Sequence, residues 1–195
     1  MRRLVLASGS IVRAKLLTGA GLTFDTKPAH VDESALKKFR SGLAADELAE
    51  FLAQAKASAV STELMESLVI GADQILECDG RLYDKPADEE GVRSHLRSLR
   101  GRAHRLISAV CVAEAGSIVW SHTDVGILTM RDFDDIYVEH YIQQAGPEVQ
   151  SSVGGYRLEE IGIQLFERVD GDYFTILGLP LLPLLAFLRK RGALV

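Results

Sequence analysis

The stretch Leu68-Val69-Ile70-Gly71-Ala72-Asp73-Gln74-Ile75-Leu76 places one acid, Asp73, inside an apolar run that is typical of a buried strand. Burying a carboxylate is costly unless a partner compensates its charge. Asp79-Gly80 follows and indicates a two-residue hairpin turn, which would bring Lys85 opposite Gln74. We therefore expect the hairpin to bring Lys85 back to Asp73 as its compensating cation. Strict alternation would place Lys85 on the opposite face of the sheet from Asp73, so a bulge or a strand end must redirect the lysine. A hairpin that carries a paired buried acid without a catalytic role is the alternative.

The rest of the chain alternates segments with strand and helix patterns. Strands are predicted over 3–7, 23–29, 105–114, 117–130, 161–168 and 173–177, and helices over 46–61, 88–99, 132–144 and 181–191. A further helix is expected through 13–17, with Ser10 as its N-cap and its end near Gly19 or Gly21. Asp170-Gly171 lies between the last two strands and indicates a second hairpin. In the helix over 132–144, the residues predicted to face the core are Phe133, Ile136, Tyr137 and Tyr141. Hairpins among helices predict an α/β fold with a bent mixed sheet flanked by helices, in one domain over 1–195.

The composition is that of an ordinary soluble globular protein. The 195 residues are 47% hydrophobic and 25% charged, with a formal net charge of −5, which argues against a broad nucleic-acid surface. The longest apolar run, 176–188, contains two prolines and is too short to span a membrane. The N-terminal apolar run is too short for a signal peptide. Cys78 and Cys111 form no CxxC motif, which favours buried reduced thiols and a cytoplasmic location.

Two segments carry groups that suit phosphate and metal chemistry. Ser8 and Ser10 lie in a small-residue loop before a helix that contains Arg13. Amides at a helix N-terminus attract anions, and hydroxyls and a guanidinium add donors; a capped helix with a surface arginine is the alternative. Glu33 follows a predicted strand and can join Asp73 around Mg²⁺, or it is a solvated acid.

Several other features of the sequence favour a structural role over a catalytic one. Lys56 lies at the edge of the apolar face of the helix over 46–61, where an ammonium that extends into water is the simplest interpretation. Histidines show no metal-ligand spacing, and the chain contains neither a Walker loop, a GxGxxG motif nor a GxSxG elbow.

Taken together, these residues resemble the Maf family of nucleoside triphosphate pyrophosphatases, in family order over nearly the whole chain. The matching stretches are Leu6-Ala7-Ser8-Gly9-Ser10 with Arg13 and Leu16-Leu17, Val31-Asp32-Glu33, Ala55-Lys56-Ala57, Gly71-Ala72-Asp73-Gln74, Lys85-Pro86, Leu99-Arg100-Gly101-Arg102-Ala103-His104, Gly154-Gly155-Tyr156, Gly162-Ile163, Asp170-Gly171-Asp172-Tyr173 and Gly178-Leu179-Pro180-Leu181. The resemblance implies an inosine-triphosphatase-like fold with a central cleft, and hydrolysis of an NTP to an NMP and pyrophosphate with Mg²⁺ or Mn²⁺.

The resemblance also implies roles for individual residues. Asp73 falls on the proton acceptor, and Glu33 and Asp73 fall on the acidic positions suited to the metal. Phosphate-contacting positions fall on Ser8, Ser10, Arg13, Lys56 and Lys85. The expected role is removal of non-standard nucleotides. The alternative is a nucleotide-binding regulator of septum formation and cell division without turnover. The apolar closing helix suggests a homodimer, and burial of that helix in the core is the alternative.

The resemblance also implies that three positions bear on the base: Val12, Gln74 and Glu159. Gln74 and Glu159 resemble the branch that acts on 7-methyl-GTP, whereas the branch for dTTP and UTP usually has Thr and Gln there. A carboxylate can accept from N1–H and N2–H of guanine, so a guanine-type or modified guanine triphosphate is expected. Val12 departs from both branches, which have Trp or Arg, and offers no ring to stack on a methylated, cationic guanine. The usual Ser-Pro-Arg-Arg segment reads Ser10-Ile11-Val12-Arg13.

Overall fold

A computed structural model describes residues 2–40 and 42–194 as a mixed α/β chain with an open seven-stranded sheet flanked by helices, which confirms the predicted fold class. The strands are β1 (Leu4–Leu6), β2 (Asp25–Thr26), β3 (Leu68–Cys78), β4 (Arg81–Tyr83), β5 (Ala103–Glu114), β6 (Ser117–Met130) and β7 (Phe166–Asp170). The helices are α1 (Ile11–Gly19), α2 (Glu33–Phe39), α3 (Ala45–Ser61), α4 (Glu89–Leu99), α5 (Asp135–Ala145), α6 (Tyr173–Ile176) and α7 (Leu181–Lys190). Short 3₁₀ helices cover Pro147–Ser151, Val153–Gly155 and Ile161–Leu165.

The chain forms two compact units. The first comprises the described residues up to Gln74, Ile107–Asp124, and those from Asp172 onward; the second comprises Ile75–Leu106 and Val125–Gly171. In the first unit the strand order is β2-β1-β3-β5-β6, and β1 is parallel to both β2 and β3. In the second unit β4 pairs antiparallel with β3, and β7 pairs antiparallel with β6. The mixture of parallel and antiparallel pairs agrees with the prediction from the sequence.

Both faces of β3 are covered in the first unit. Leu68, Ile70 and Ala72 belong to a buried cluster that includes residues of α1 and α7. The opposite face meets α3 at Gly71, where a Cβ would lie 2.3 Å from the carbonyl oxygen of Ala53. Since successive residues of a strand point to opposite faces, β3 directs Asp73 toward α3 and Gln74 toward the other face.

The first predicted hairpin forms, but its register does not extend to Lys85. Asp79 and Gly80 both have positive φ, 50° and 78°, as a two-residue turn between right-twisted strands requires. The antiparallel pairing ends where Leu76 lies opposite Tyr83. Lys85 lies beyond the end of β4, so the predicted pairing of Lys85 with Gln74 is wrong.

The second predicted hairpin is also wrong, because α6 begins where the last strand was expected. The Asp172 carboxylate accepts a hydrogen bond from the Thr175 backbone N–H at 3.0 Å and so caps a helical turn. β7 instead pairs with β6, and the residues before it form a 3₁₀ helix rather than strand. The apolar residues 173–177 suited either structure, and the local cap decided between them.

The boundaries of other strands and helices differ from the predicted ones by a few residues. The predicted strand over 23–29 shrinks to two residues, and α2 was not predicted. α5 begins three residues later than predicted, after its cap Asp134. Its buried residues are Val138, Tyr141 and Ile142, and Ile136 is 80% exposed, so the prediction that Ile136 faces the core is wrong.

Two predictions about the cysteines and the apolar runs can be compared with the structure. Cys78 and Cys111 are free and buried in β3 and β5, as expected. Among the described residues, no helix combines the length and apolarity needed to cross a membrane.

Candidate active site

Asp73 is a buried acid paired with a buried lysine of α3. Its Oδ1 lies 2.6 Å from Nζ of Lys56, and the two residues are 6% and 8% exposed. The close approach at Gly71 brings α3 against β3 two residues before Asp73, on the same face of the strand, which lets the lysine reach the acid. The cation that compensates Asp73 therefore comes from α3 rather than from the hairpin. The interpretation of Lys56 as a lysine extending into water is wrong.

Glu33 is the second acid on the same ammonium. Its Oε1 lies 2.9 Å from Nζ of Lys56, while its side chain remains 48% exposed. Glu33 is the first residue of α2, whose N-cap Asp32 accepts from the Ala35 backbone N–H at 2.9 Å. The two adjacent acids thus have different tasks: Asp32 starts the helix, and Glu33 contacts the lysine.

The loop after β1 holds Arg13 in place. Ser10 caps α1 as predicted, and its own backbone N–H donates to Oγ of Ser8 at 3.2 Å. The guanidinium of Arg13 donates to Oγ of Ser8 at 3.3 Å and to the carbonyl oxygens of Ala72 and Gly178, both at 2.9 Å. These bonds use three of the five N–H donors of an arginine. Arg13 is therefore fixed by the protein and is not a surface arginine.

Charges in the cluster act on one another. Burial raises the pKa of Asp73, and the positive charges of Lys56 and Arg13 oppose that effect. Burial lowers the pKa of Arg13, and the negative charges of Asp73 and Glu33 oppose it. The first unit thus contains two cations and two acids that interact electrostatically.

Gln74 follows Asp73 but makes its contacts elsewhere. Its Nε2 lies 3.0 Å from Oγ of Ser108 and 2.9 Å from the carbonyl oxygen of Ile176. The Ser108 hydroxyl lies 2.7 Å from the carbonyl oxygen of Thr175. The sequence prediction missed these contacts, because Ser108 lies in an apolar strand pattern and residues 173–177 were assigned to a strand.

The remaining predicted residues are placed as follows. Val12 is half-buried in the first turn of α1. Lys85 is exposed, and Glu159 lies 3.4 Å from Nε of Arg157; both belong to the second unit. The roles of these three residues stay predictions.

The acids of the first unit suit a hard divalent cation. Glu33 and Asp73 contact the same ammonium at 2.9 and 2.6 Å, so their oxygens converge on one centre of positive charge. Mg²⁺ commonly takes one or two carboxylates and completes its shell with water and substrate phosphates. Among the described residues, no three His, Cys, Asp or Glu side chains gather into a metal cage. The pair therefore offers the number of carboxylates that such an ion commonly takes from a protein.

Known proteins resemble this chain over almost its entire length. A family profile described as Maf-like protein matches residues 3–191. A nucleoside triphosphate pyrophosphatase of Paramagnetospirillum magneticum is 50% identical over 193 residues, which cover 98% of this chain and 100% of that protein. One from Nitrobacter hamburgensis is 49% identical over 191 residues, which cover 98% and 95%.

Relatives with a narrower description are almost as similar. A 7-methyl-GTP pyrophosphatase of Mesorhizobium japonicum is 45% identical over 194 residues, which cover 98% of both chains. The buried acid, its lysine and the serine–arginine loop lie within the matched region. By its sequence, the chain belongs to the Maf family.

Proposed function

We propose that this protein hydrolyses a nucleoside triphosphate to a nucleoside monophosphate and pyrophosphate, with Asp73 as the proton acceptor. The observation that carries the proposal is the contact of 2.6 Å between the buried Asp73 carboxylate and Lys56, with Arg13 close enough to affect the Asp73 pKa. Relatives at 45 to 50% identity bear the names of pyrophosphatases that act on such substrates. Removal of non-standard nucleotides is the corresponding cellular role.

The reaction needs a base that is ionised and close to positive charge. Asp73 accepts a proton from water as the water oxygen attacks the α-phosphorus, and the bond to the bridging oxygen breaks to release pyrophosphate. Burial strengthens the carboxylate as a base by raising its pKa. The positive charges of Lys56 and Arg13 oppose that rise in the pKa, since each favours the ionised form.

Binding of the triphosphate also requires positive charge to offset the negative charge of its phosphates. Glu33 and Asp73 already compensate Lys56 and Arg13, so the cluster offers little net positive charge to a triphosphate. Glu33 and Asp73 would hold a divalent cation, Mg²⁺ or Mn²⁺, which supplies positive charge between carboxylates and phosphates. Ser8, Ser10 and the Nη2 of Arg13, which has no acceptor among the bonds of the described residues, add donors, and Lys85 is proposed as a further phosphate contact.

A guanine-type base is the proposed substrate class. Glu159 can accept two N–H groups of guanine, and Gln74 can accept another. Support for a modified guanine comes from the relative described as a 7-methyl-GTP pyrophosphatase. Val12 provides no aromatic ring, so we expect weak discrimination between GTP and 7-methyl-GTP.

The test is pyrophosphate release from GTP, 7-methyl-GTP, dTTP and UTP in Mg²⁺ or Mn²⁺, by the wild type and by Asp73→Asn. The amide keeps the shape of the acid but cannot accept the proton. We expect kcat to fall by about a thousandfold or more. Asp46→Asn, an exposed acid at the start of α3, is the matched control and should retain activity.

Two outcomes would reject the proposal. A wild type that releases no pyrophosphate from any triphosphate would favour the regulator of cell division. Turnover by Asp73→Asn equal to that of the wild type would remove Asp73 from the mechanism. Fast dTTP hydrolysis with negligible guanine turnover would reject only the substrate class.

A further inference from the structure

We infer that Asp124 is a positioning residue that directs the guanidinium of Arg13 toward the substrate's phosphates by holding the turn of α6, residues 172–178. The inference rests on the proposed function, because it takes Arg13 as a contact of the triphosphate. Asp124 itself does not touch the substrate in this scheme, and its effect passes through a hydrogen bond to Thr175.

The guanidinium of Arg13 depends on backbone oxygens from two parts of the first unit. Its Nη1 donates to the carbonyl oxygen of Ala72 and its Nε to that of Gly178, both at 2.9 Å. Ala72 lies in β3, which is paired with a strand on each side and so has a well-defined position. Gly178 follows a helical turn and lies outside the sheet. The position of the Gly178 carbonyl therefore needs a support of its own.

The turn of α6 passes directly beside the guanidinium. Gly178 has φ of 93°, which glycine adopts without strain, and a Cβ added there would lie 3.6 Å from Nη2 of Arg13. Nη2 is the donor proposed for a phosphate, so a shift of this turn would move the donor or allow it to rotate. A misplacement of about 1 Å can cost a large factor in a site that depends on geometry.

Asp124 connects this turn to strand β6. The Thr175 hydroxyl donates to the carboxylate of Asp124 at 2.8 Å, and Thr175 is fully buried. The carbonyl oxygen of Thr175 accepts from the backbone N–H of Gly178 at 2.9 Å, which links the two residues within the turn. Without the carboxylate, the buried hydroxyl would lose its acceptor, and an unpaired buried donor costs free energy unless the chain moves.

The helix cannot hold the turn by itself. α6 has four residues, far fewer than a helix needs to be stable alone. Its cap, Asp172, accepts from the backbone N–H of Thr175 at 3.0 Å and fixes the start of the turn. Asp124 holds the same residue from the neighbouring strand, so Thr175 is tied both to its own segment and to the sheet.

Asp124 acts through this hydrogen bond rather than through its charge. Burial lowers the pKa of Arg13, and the negative charges that oppose this effect are those of Asp73 and Glu33. An oxygen acceptor at position 124 should therefore be sufficient. Asp124→Asn keeps such an oxygen and removes the charge, so it should rescue what Asp124→Ala loses.

The experiment measures dissociation constants for inorganic tripolyphosphate with Mg²⁺ by titration calorimetry. This probe carries the phosphates of the substrate without its base, and its binding needs no turnover. We expect Arg13→Met to weaken binding by about tenfold or more, since a hydrogen bond to a charged group is lost. Asp124→Ala should weaken it by about fivefold or more, since the donor is displaced rather than removed. Asp124→Asn should bind as the wild type does.

A double variant separates positioning from a general loss of stability. If Asp124 acts only through Arg13, the variant with both Asp124→Ala and Arg13→Met should bind no more weakly than Arg13→Met alone. Thr175→Val keeps the shape of threonine without its hydroxyl and should match Asp124→Ala, which it replaces if that variant does not fold. The control is Asp134→Ala, which removes the cap of α5 in the second unit and should retain full binding.

Three results would overturn the inference. The first is unchanged binding in Asp124→Ala and Thr175→Val, or in Arg13→Met. The second is a full further loss of affinity in the double variant. The third is a loss in Asp124→Asn equal to that in Asp124→Ala. Coupled losses at positions 124 and 13 in a protein that releases no pyrophosphate from any triphosphate would support the inference and reject the proposed hydrolysis alone.

Discussion

Lys56 illustrates how a single residue gains its role from its surroundings. Helix spacing places it at the edge of an apolar face, and nothing in its own segment predicts two carboxylates at 2.6 and 2.9 Å. A lysine that is 8% exposed needs such partners, because burying an unpaired ammonium is costly. Lys56 also acts on the acid, since its charge opposes the rise in the Asp73 pKa that burial causes.

Lys56→Met tests this coupling. Without the ammonium, the pKa of Asp73 should rise further, because burial then acts with less opposition. Activity that needs ionised Asp73 is lost as pH falls through that pKa, so the acidic limb of the profile of kcat/KM against pH should move to higher pH. We also expect kcat/KM at neutral pH to fall by about a hundredfold or more.

An exposed lysine provides the control for this variant. Lys15→Met, in α1, should leave both the rate and the acidic limb unchanged. An acidic limb that stays in place in Lys56→Met would show that Asp73 is not the group whose ionisation controls the rate.

At the level of elements, strand β3 and helix α3 build the acidic half of the site. The alternation of β3 sends Asp73 and Gln74 to opposite faces, where Lys56 meets the first and the turn of α6 meets the second. Gly71 sets how closely α3 approaches, because a Cβ there would lie 2.3 Å from the carbonyl oxygen of Ala53 and 2.7 Å from Cβ of Ala57.

Gly71→Ala should therefore push α3 away from β3. The atoms it meets include backbone, which cannot move aside as a flexible side chain can, so we expect a loss of about 3 kcal/mol in the free energy of unfolding. Pyrophosphate release should fall as well, because Lys56 moves with α3. Urea unfolding and the activity assay measure the two effects.

Gly19→Ala is the matched substitution for that test. Gly19 ends α1, and a Cβ there would meet no atom within 4 Å. The variant should be as stable and as active as the wild type. A Gly71→Ala protein with an unchanged free energy of unfolding would mean that the contact between α3 and β3 can accommodate a Cβ at position 71.

Local signals explain which elements were predicted correctly. Ser10 at the start of α1 and Asp79-Gly80 between β3 and β4 are short-range features that require few long-range contacts. The strand predicted over 173–177 failed because an apolar run of that length fits a strand or a buried helical turn equally well. Asp172, in the neighbouring sequence, was the available signal for the helix, since Asp is a favoured N-cap.

At the scale of the whole chain, ordered motifs predicted the family, whereas single segments did not predict the contacts. Asp73 was correctly identified as a buried acid that needs a cation, but the source of that cation depended on which helix packs against β3. Ser108 gave no signal, because one serine in the apolar pattern of β5 is compatible with many roles. Such pairings depend on tertiary packing, which hydrophobic periodicity does not encode.

The stability of the protein should also depend on pH through His104. Its Nε2 lies 2.7 Å from the Tyr156 hydroxyl, and burial lowers its pKa from 6.5 to about 4. Between those pH values the unfolded chain binds a proton that the folded chain does not, so the free energy of unfolding falls as pH falls. The loss in the free energy of unfolding is about 1.4 kcal/mol per pH unit and about 3 kcal/mol in total.

In His104→Gln this pH-dependent loss should disappear, and urea unfolding at pH 7.5 and 4.5 measures it. The control is His140→Gln, which changes an exposed histidine and should behave as the wild type. Equal pH dependence in His104→Gln and the wild type would mean that folding does not lower the pKa of His104.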